Sequence, residues 1–281
     1  MAVEFAAEMK AFNGSTGIPI RERTDDTSAD IYGASEDVLG RWFAANPEKR
    51  KDFFLATKFG IGPSSESPRG YKIDSTPECC REALERSLKR LDLPYVNFYY
   101  VHRLDKVTPI EKTMEAMVQL KQEGKIKLIG LSECSAESLR RAHAVHPVTC
   151  VQVEYILFYL AIESPQVRLL ETAQELGVGV VAYSPLGNGD ISRPGNSRRV
   201  LPGLHEKNLA KTWLLWIRFS PSPNKKGDDI FAIPGITKIE HLEENLRSVF
   251  VRVSEEEEPC ELCQSSGFSS GSVCRATPIY Q

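Results

Sequence analysis

The chain has 281 residues, 41% of them hydrophobic and 26% charged, with a formal net charge of -3. That is an ordinary globular balance, and it argues against a nucleic-acid binder, which carries a basic face, while leaving room for a local basic pocket. No run approaches the roughly 18 apolar residues of a membrane span, Met1 to Lys10 lacks a basic leader region, and the seven cysteines are scattered, so the sequence reads as a cytoplasmic protein with reduced thiols.

The first legible segment runs from Asp26 to Gly33 and ends on Tyr32. An apolar run from Phe53 ends on Lys58. The span 77–91 places Leu84, Leu88 and Leu91 at helical spacing. An aromatic, β-branched run from Val96 to Val101 ends at His102. Thr108 and Pro109 open a helix through Met114, Met117 and Leu120, which Gly124 stops. Strand 127–132 ends on Ser132, and helix 135–145 follows. Strand 150–153 contains Gln152, and a helix spans 164–176 before Gly177. Strand 178–183 ends on Tyr183, and strand 230–233 closes the pattern. Short, nearly continuous apolar runs suit strands buried on both faces. Their alternation with helices implies a parallel α/β fold, either a barrel or an open sheet. The stretches 188–203 and 220–227 read as loops, and a Ser/Gly/Cys-rich tail begins at Pro259.

Chemistry in parallel α/β folds gathers at the carboxyl ends of the strands. Here successive strands finish on Lys58, His102, Ser132, Gln152 with Glu154, and Tyr183 with Ser184. Each alone is unremarkable; a barrel brings them to one mouth.

Seven motifs carry a family resemblance. They are Asp-Ile-Tyr-Gly-Ala-Ser-Glu-Asp-Val-Leu-Gly (30–40), Phe-Leu-Ala-Thr-Lys-Phe-Gly (54–60), Tyr-Tyr-Val-His-Arg (99–103), Lys-Ile-Lys-Leu-Ile-Gly-Leu-Ser (125–132), Gln-Val-Glu-Tyr (152–155), Ala-Tyr-Ser-Pro-Leu-Gly (182–187) and Ile-Pro-Gly-Ile-Thr-Lys (233–238). In this order they resemble the aldo-keto reductase superfamily, in its pyridoxal reductase-like and auxin-induced-like branch. The match is best over 26–250. The resemblance implies a (β/α)8 TIM barrel and reduction of an aldehyde or ketone with NADPH. Tyr32 matches the family's proton donor. Lys58 matches the ammonium that lowers the pKa of that phenol. His102 matches the residue that orients the carbonyl. The family's aspartate normally lies five residues before the tyrosine. Thr27 stands there, so Asp26, six before, is the nearest match.

The resemblance also implies an NADP(H) site. Ser132 and Gln152 match the residues on the nicotinamide carboxamide, although Glu133 stands where the superfamily often has Asn. Tyr183 matches the aromatic that stacks on the nicotinamide ring. Ser184, Leu186 and Gly187 match the loop along the pyrophosphate. Gly235, Thr237 and Lys238 match the loop near the adenosine phosphate, and Glu244 and Asn245 the adenine contacts. His241 replaces a frequent Arg, the better bidentate phosphate ligand, which leaves Lys238 to select the 2′-phosphate.

Three stretches depart from the pattern. The residues before Asp26 are too few for strand 1 and helix 1, which read as missing or replaced. The segment between Lys211 and Gly227 is short. The tail does not match the usual C-terminal segment. The expected division is a single barrel domain over 1–258 and an irregular tail over 259–281. In that tail Cys260, Cys263 and Cys274 lack a fourth zinc ligand, so no metal site is expected. The expected partner is a small carbonyl substrate, with a monomer favoured. Three readings follow: an active reductase, a shortened cofactor-binding or regulatory descendant, and an unrelated barrel enzyme that uses the same mouth.

Overall fold

The computed structural model describes residues 34–65, 67–68, 70–155, 161–184 and 229–233. In chain order the elements are α1 (Ser35–Ala45), a 3-10 turn (Pro47–Asp52), β1 (Ala56–Phe59), β2 (Ile61–Pro63), β3 (Tyr71–Ile73), α2 (Pro77–Leu91), β4 (Val96–Val101), α3 (Ile110–Gln122), β5 (Ile126–Ser132), α4 (Ala136–Val145), β6 (Cys150–Glu154), a 3-10 turn (Ala161–Glu163), α5 (Leu169–Leu176), β7 (Gly179–Tyr183) and β8 (Ile230–Ile233). Strands β1, β4, β5, β6, β7 and β8 form one sheet in that order. Every pairing in it is parallel. Strands β2 and β3 form a separate antiparallel hairpin. The main sheet is that of a (β/α)8 barrel, incomplete among the described residues, with six strands and open edges at β1 and β8. The absence of strand 1 and helix 1, and the loops at 188–203 and 220–227, concern residues outside those described.

The helices begin where the sequence supplies caps. Thr76 accepts the Cys79 N–H through its hydroxyl at 3.2 Å, and Pro77 opens α2. Ser135 does the same for Ser138 at 3.1 Å at the start of α4. These side chains satisfy amides that a helix start leaves unpaired. The largest difference at a helix start from expectation is at the last described helix, α5. The span 164–168 is not part of the helix, because Arg168 adopts a left-handed backbone (φ 48) that breaks the chain's helical course. Helix α5 therefore starts at Leu169 rather than Ser164.

Alternate strand residues enter two apolar layers. Leu55, Phe59, Tyr99, Val101, Ile129, Leu131, Val151, Val153, Val180 and Ala182 pack with the helices in the larger core. Phe98, Tyr100, Cys150, Val181 and Ile233, with Phe54, Ala56, Leu128, Tyr183 and Phe231, fill the other face, the barrel interior. Gly130 is required there: an added Cβ would lie within 2.5 Å of Tyr100 Cδ1 and closer still to Cε1 of both Phe98 and Tyr100. Those two rings stack over it at 4.3 Å.

Outside the sheet, arginines join each helix to its neighbour. Arg90 of α2 pairs with Asp37 of α1 at 2.7 Å, and Arg81 with Glu123, just past α3, at 2.6 Å. Arg141 of α4 pairs with Glu111 of α3 at 2.8 Å, and Arg140 with Glu175 of α5. No helix among the described residues is long and apolar enough to cross a membrane.

Candidate active site at the barrel mouth

The interior parity carries directly to the site. Phe54 and Ala56 lead to Lys58, Phe98 and Tyr100 to His102, Leu128 and Gly130 to Ser132, Cys150 to Gln152, and Val181 to Tyr183. Each step of two residues climbs about 6.6 Å along a strand on the same face. The register keeps the ends level: Phe59 pairs with Val101, Ser132 with Gln152, and Glu154 with Tyr183. His102 extends the ladder by donating its N–H to Phe59 O at 2.7 Å. Five successive strands thus deliver a lysine, a histidine, a serine, a glutamine and a tyrosine to one mouth.

Three of these polar groups are nearly withdrawn from solvent: His102 is 6%, Ser132 2% and Gln152 6% exposed. Burying polar groups without partners is costly. Ser132 Oγ accepts from Arg103 at 3.2 Å, and the same guanidinium nitrogen reaches the His102 carbonyl at 2.9 Å. The main-chain carbonyl of Gln152 accepts from the Glu133 N–H at 3.0 Å. A buried primary amide offers one acceptor oxygen and two donor hydrogens. That complements another primary carboxamide, so Ser132 and Gln152 fit a nicotinamide group. Tyr183 stands half-buried on the next strand, with an aromatic face of the size a planar ring stacks on.

Two carboxylates add features to the mouth to which the sequence alone assigns no role. Asp105 accepts hydrogen bonds from Ser75 N (3.1 Å), Val107 N (2.9 Å), Thr108 N (2.7 Å) and Thr108 Oγ1 (2.7 Å). Ser75 Oγ accepts from Asp105 N in return, at 3.1 Å. This knot ties the loop after His102 to the start of α2. Burial alone would raise the Asp105 carboxyl, but the bonds from Thr108, Val107 and Ser75 outweigh it and hold it at about 2. The signal was present in the spacing, an Asp three residues before Thr108 at a helix entrance. Glu154 points into the mouth beside Glu133; burial, then the Glu133 charge, raises its carboxyl pKa, with Arg103 opposing.

Cys150 lies beneath the site on the interior face, and burial pushes its thiol up to about 12. A thiol so placed is a packing group, not a nucleophile. Cys79, Cys80 and Cys134 are likewise free, and burial raises the thiol of each. Of the adjacent pair on α2, Cys80 is fully buried and Cys79 half-buried. Among the described residues no group of three or more His, Cys, Asp or Glu side chains is placed to hold a metal.

Tyr32 and Asp26 lie outside the described residues, as do Leu186, Gly187, Gly235, Thr237, Lys238, His241, Glu244 and Asn245. Of the expected site, the structure brings together Lys58, His102, Ser132, Gln152, Tyr183 and Ser184, the last with a left-handed backbone (φ 50).

A parallel barrel sheet with this set at its carboxyl end defines a class, and the comparisons agree with it. The chain belongs to the aldo/keto reductase family, whose model matches residues 24–219. Members of that family are oxidoreductases acting on carbonyl groups. Aldo-keto reductase str7 of Strobilurus tenacellus is 42% identical over 254 residues, covering 82% of this chain and 73% of that one. The Schizosaccharomyces pombe aldo-keto reductase yakc, named for NADP(+), is 38% identical over 254 residues, covering 81% and 74%. Among solved structures, a thermostable aldo-keto reductase in complex with the inhibitor epalrestat superposes with a TM-score of 0.67 at 26% identity, covering 94% of this chain and 85% of that one. The holo form of a Bacillus halodurans aldo-keto reductase shares the fold, with a TM-score of 0.67 at 23% identity over 84% and 80%.

Proposed function

We propose that this chain is an NADPH-dependent reductase of a small aldehyde or ketone, with Tyr32 as the proton donor. The single observation that carries the reading is the convergence of Lys58, His102, Ser132, Gln152 and Tyr183 on one mouth from consecutive strands. Support for NADP over NAD comes from the name of the yakc relative and from Lys238. In this reading residues 1–258 form one barrel domain and 259–281 a tail.

When bound, NADPH supplies the hydride that reaches the carbonyl carbon. Ser132 and Gln152 hold the carboxamide, Tyr183 stacks on the ring, and Ser184, Leu186 and Gly187 follow the phosphates. Gly235, Thr237, Lys238, His241, Glu244 and Asn245 take the adenosine end. Tyr32 delivers a proton to the carbonyl oxygen. Its phenol has an ordinary pKa of about 10, so the Lys58 ammonium, with Asp26 as its counter-charge, favours the phenolate and eases the transfer. His102 orients the carbonyl oxygen toward Tyr32. Holding the reactants in this geometry removes an entropic barrier, and positioned proton transfer contributes about 10²–10⁴-fold.

The test is direct. Purified protein is titrated with NADPH, following nicotinamide fluorescence, and then assayed with 4-nitrobenzaldehyde. Saturable binding and turnover are expected, with Tyr32→Phe lowering kcat by about 10²-fold or more while cofactor binding persists. No fluorescence change up to millimolar NADPH overturns the reading.

A further inference from the structure

Ser132 ends β5 with a side chain that is 2% exposed, and the chain on either side of it is pinned. The strand pairs with β4 through Leu131 and with β6 through Ser132 itself. Just beyond, the Glu133 N–H donates to Gln152 O at 3.0 Å, and the Glu133 carboxylate accepts from the Glu154 N–H at 2.9 Å. With the main chain so fastened, what is left to set at this position is the direction of the Ser132 O–H.

Arg103, the residue after His102, sets it. Its Nη1 donates to Ser132 Oγ at 3.2 Å and to His102 O at 2.9 Å, with one hydrogen of that nitrogen for each oxygen. A guanidinium has no acceptor, whereas a hydroxyl has one proton and two lone pairs. Ser132 Oγ is therefore the acceptor in this bond, and its own proton is left to donate elsewhere. Accepting from a cation also polarises the hydroxyl and strengthens that donation. The arginine is held in turn by its main chain. The preceding His102 N–H donates to Phe59 O at 2.7 Å, and Gly60 (φ 107) lies so near that an added Cβ would come to 3.1 Å of Arg103 O.

We propose that Arg103 is a positioning residue: it occupies a lone pair of Ser132 Oγ and so presents the Ser132 proton to the carbonyl oxygen of the nicotinamide carboxamide. The proposal rests on the reading of Ser132 as a carboxamide contact. Arg103 need not touch the cofactor; it acts through Ser132. Because the same nitrogen holds the His102 carbonyl, one side chain spans the ends of β4 and β5, where that reading puts the substrate carbonyl and the nicotinamide.

Two measurements separate the link from the function it serves. The first needs no cofactor. Urea unfolding of the native protein, Arg103→Met, Ser132→Ala and the double variant should show the two changes coupled by about fivefold or more in the unfolding equilibrium constant. If Arg103→Met does not fold, the shorter, uncharged Arg103→Gln replaces it. The second is calorimetric binding of NADP(+) and of its thionicotinamide analogue, whose sulfur is a weak acceptor in place of the carboxamide oxygen. Arg103→Met should raise Kd about tenfold for NADP(+), the size of one lost hydrogen bond, and less than about threefold for the analogue. In the Ser132→Ala background the same change should add less than about twofold, because the hydroxyl it directs is gone. Additive effects in urea overturn the link. Equal rises in Kd for the two cofactors overturn the positioning role, since a merely structural change moves both alike. Coupling in urea with a native protein that binds neither cofactor removes the functional reading instead and leaves the Arg103–Ser132 bond standing.

Discussion

Gly130→Ala gives the most direct test of how the site is supported. Gly130 is in the middle of β5, Cα-paired with Tyr100 of β4 and Cys150 of β6. The rings above it, Phe98 and Tyr100, are fully buried and stacked at 4.3 Å with 18° between planes. A Cβ at 130 would approach Tyr100 Cδ1 to 2.5 Å, whereas real Cβ contacts essentially never fall below 3.0 Å. At least half an ångström of movement is needed against two fully buried rings. Inserting a carbon into a packed core costs about 1–3 kcal/mol, and two displaced rings put this site at the upper end. For a chain of this size that corresponds to a fall in melting temperature of about 2–10 °C. The same displacement travels two residues along β4 and β5, to His102 and Ser132. Carbonyl reduction should therefore fall further than the stability loss alone explains at a temperature where the variant is folded. Urea denaturation with an unchanged m-value, together with kcat and KM at that temperature, checks both parts. A shift below about 0.5 kcal/mol would refute the packing argument, since that is the range of an inconsequential surface change. Combining Gly130→Ala with Phe98→Leu should recover part of the loss, because the two act on one space.

Three further outcomes are expected. Asp105→Asn should cost about 1–2 kcal/mol near neutral pH, after allowance for partial exposure. The Asp105 carboxyl sits at about 2, below its ordinary value, so its contribution is complete above the unfolded pKa and disappears as pH falls through the folded one; urea titrations of both proteins between neutrality and strong acid should converge toward the acid end. Arg50→Ala should destabilise by about 2 kcal/mol, since it strands acceptors that Arg50 now serves: Phe53 O at 2.8 Å, Tyr95 O at 3.2 Å and Asn97 Oδ1 at 2.8 Å. Arg50→Lys should recover less than half, because Lys lacks the planar fork and stacks less well on the Tyr95 ring, where the guanidinium lies 4.6 Å from the centroid. If Lys58 serves the Tyr32 phenol as proposed, Lys58→Met should lower kcat/KM by about 10²-fold with folding intact and shift the pH–rate profile to higher pH.

Most of the sheet was legible because its strands are buried on both sides. Val96 to Val101 is a strand by composition alone, and Leu84, Leu88 and Leu91 mark the buried side of α2. The same property hid the interior. In a continuous apolar run nothing local separates Phe98 and Tyr100, which face the barrel, from Tyr99 and Val101, which face the helices. The need for Gly130 follows only once Tyr100 is set beside it by register. Helix α1 lies inside a motif and carries Gly40, which interrupts its apolar periodicity. That glycine is explained by the neighbouring helix: an added Cβ would come to 3.1 Å of Leu91 C and closer to Arg90 O. The hairpin of β2 and β3 escaped because its strands are three residues each and carry Gly62 and Pro63. Of the site, Lys58, His102, Ser132, Gln152 and Tyr183 were legible as strand-terminal residues within motifs. Asp105, Glu133 and Glu154 were not assigned roles, because their work is done by bonds between strands and loops far apart in sequence.

The order of the sheet is the order of the chain. Each strand finds its partner in the previous βα unit, and each arginine clamp joins a helix to the one before or after it. Such a molecule can be laid down from one end, as a wall is built course by course, with each unit offered a finished edge by its predecessor. The mouth, however, takes one group from each of five courses. Its geometry exists only when Tyr183 of β7 has joined Lys58 of β1 in the same sheet, so the chemistry serves as a readout that assembly has reached that point.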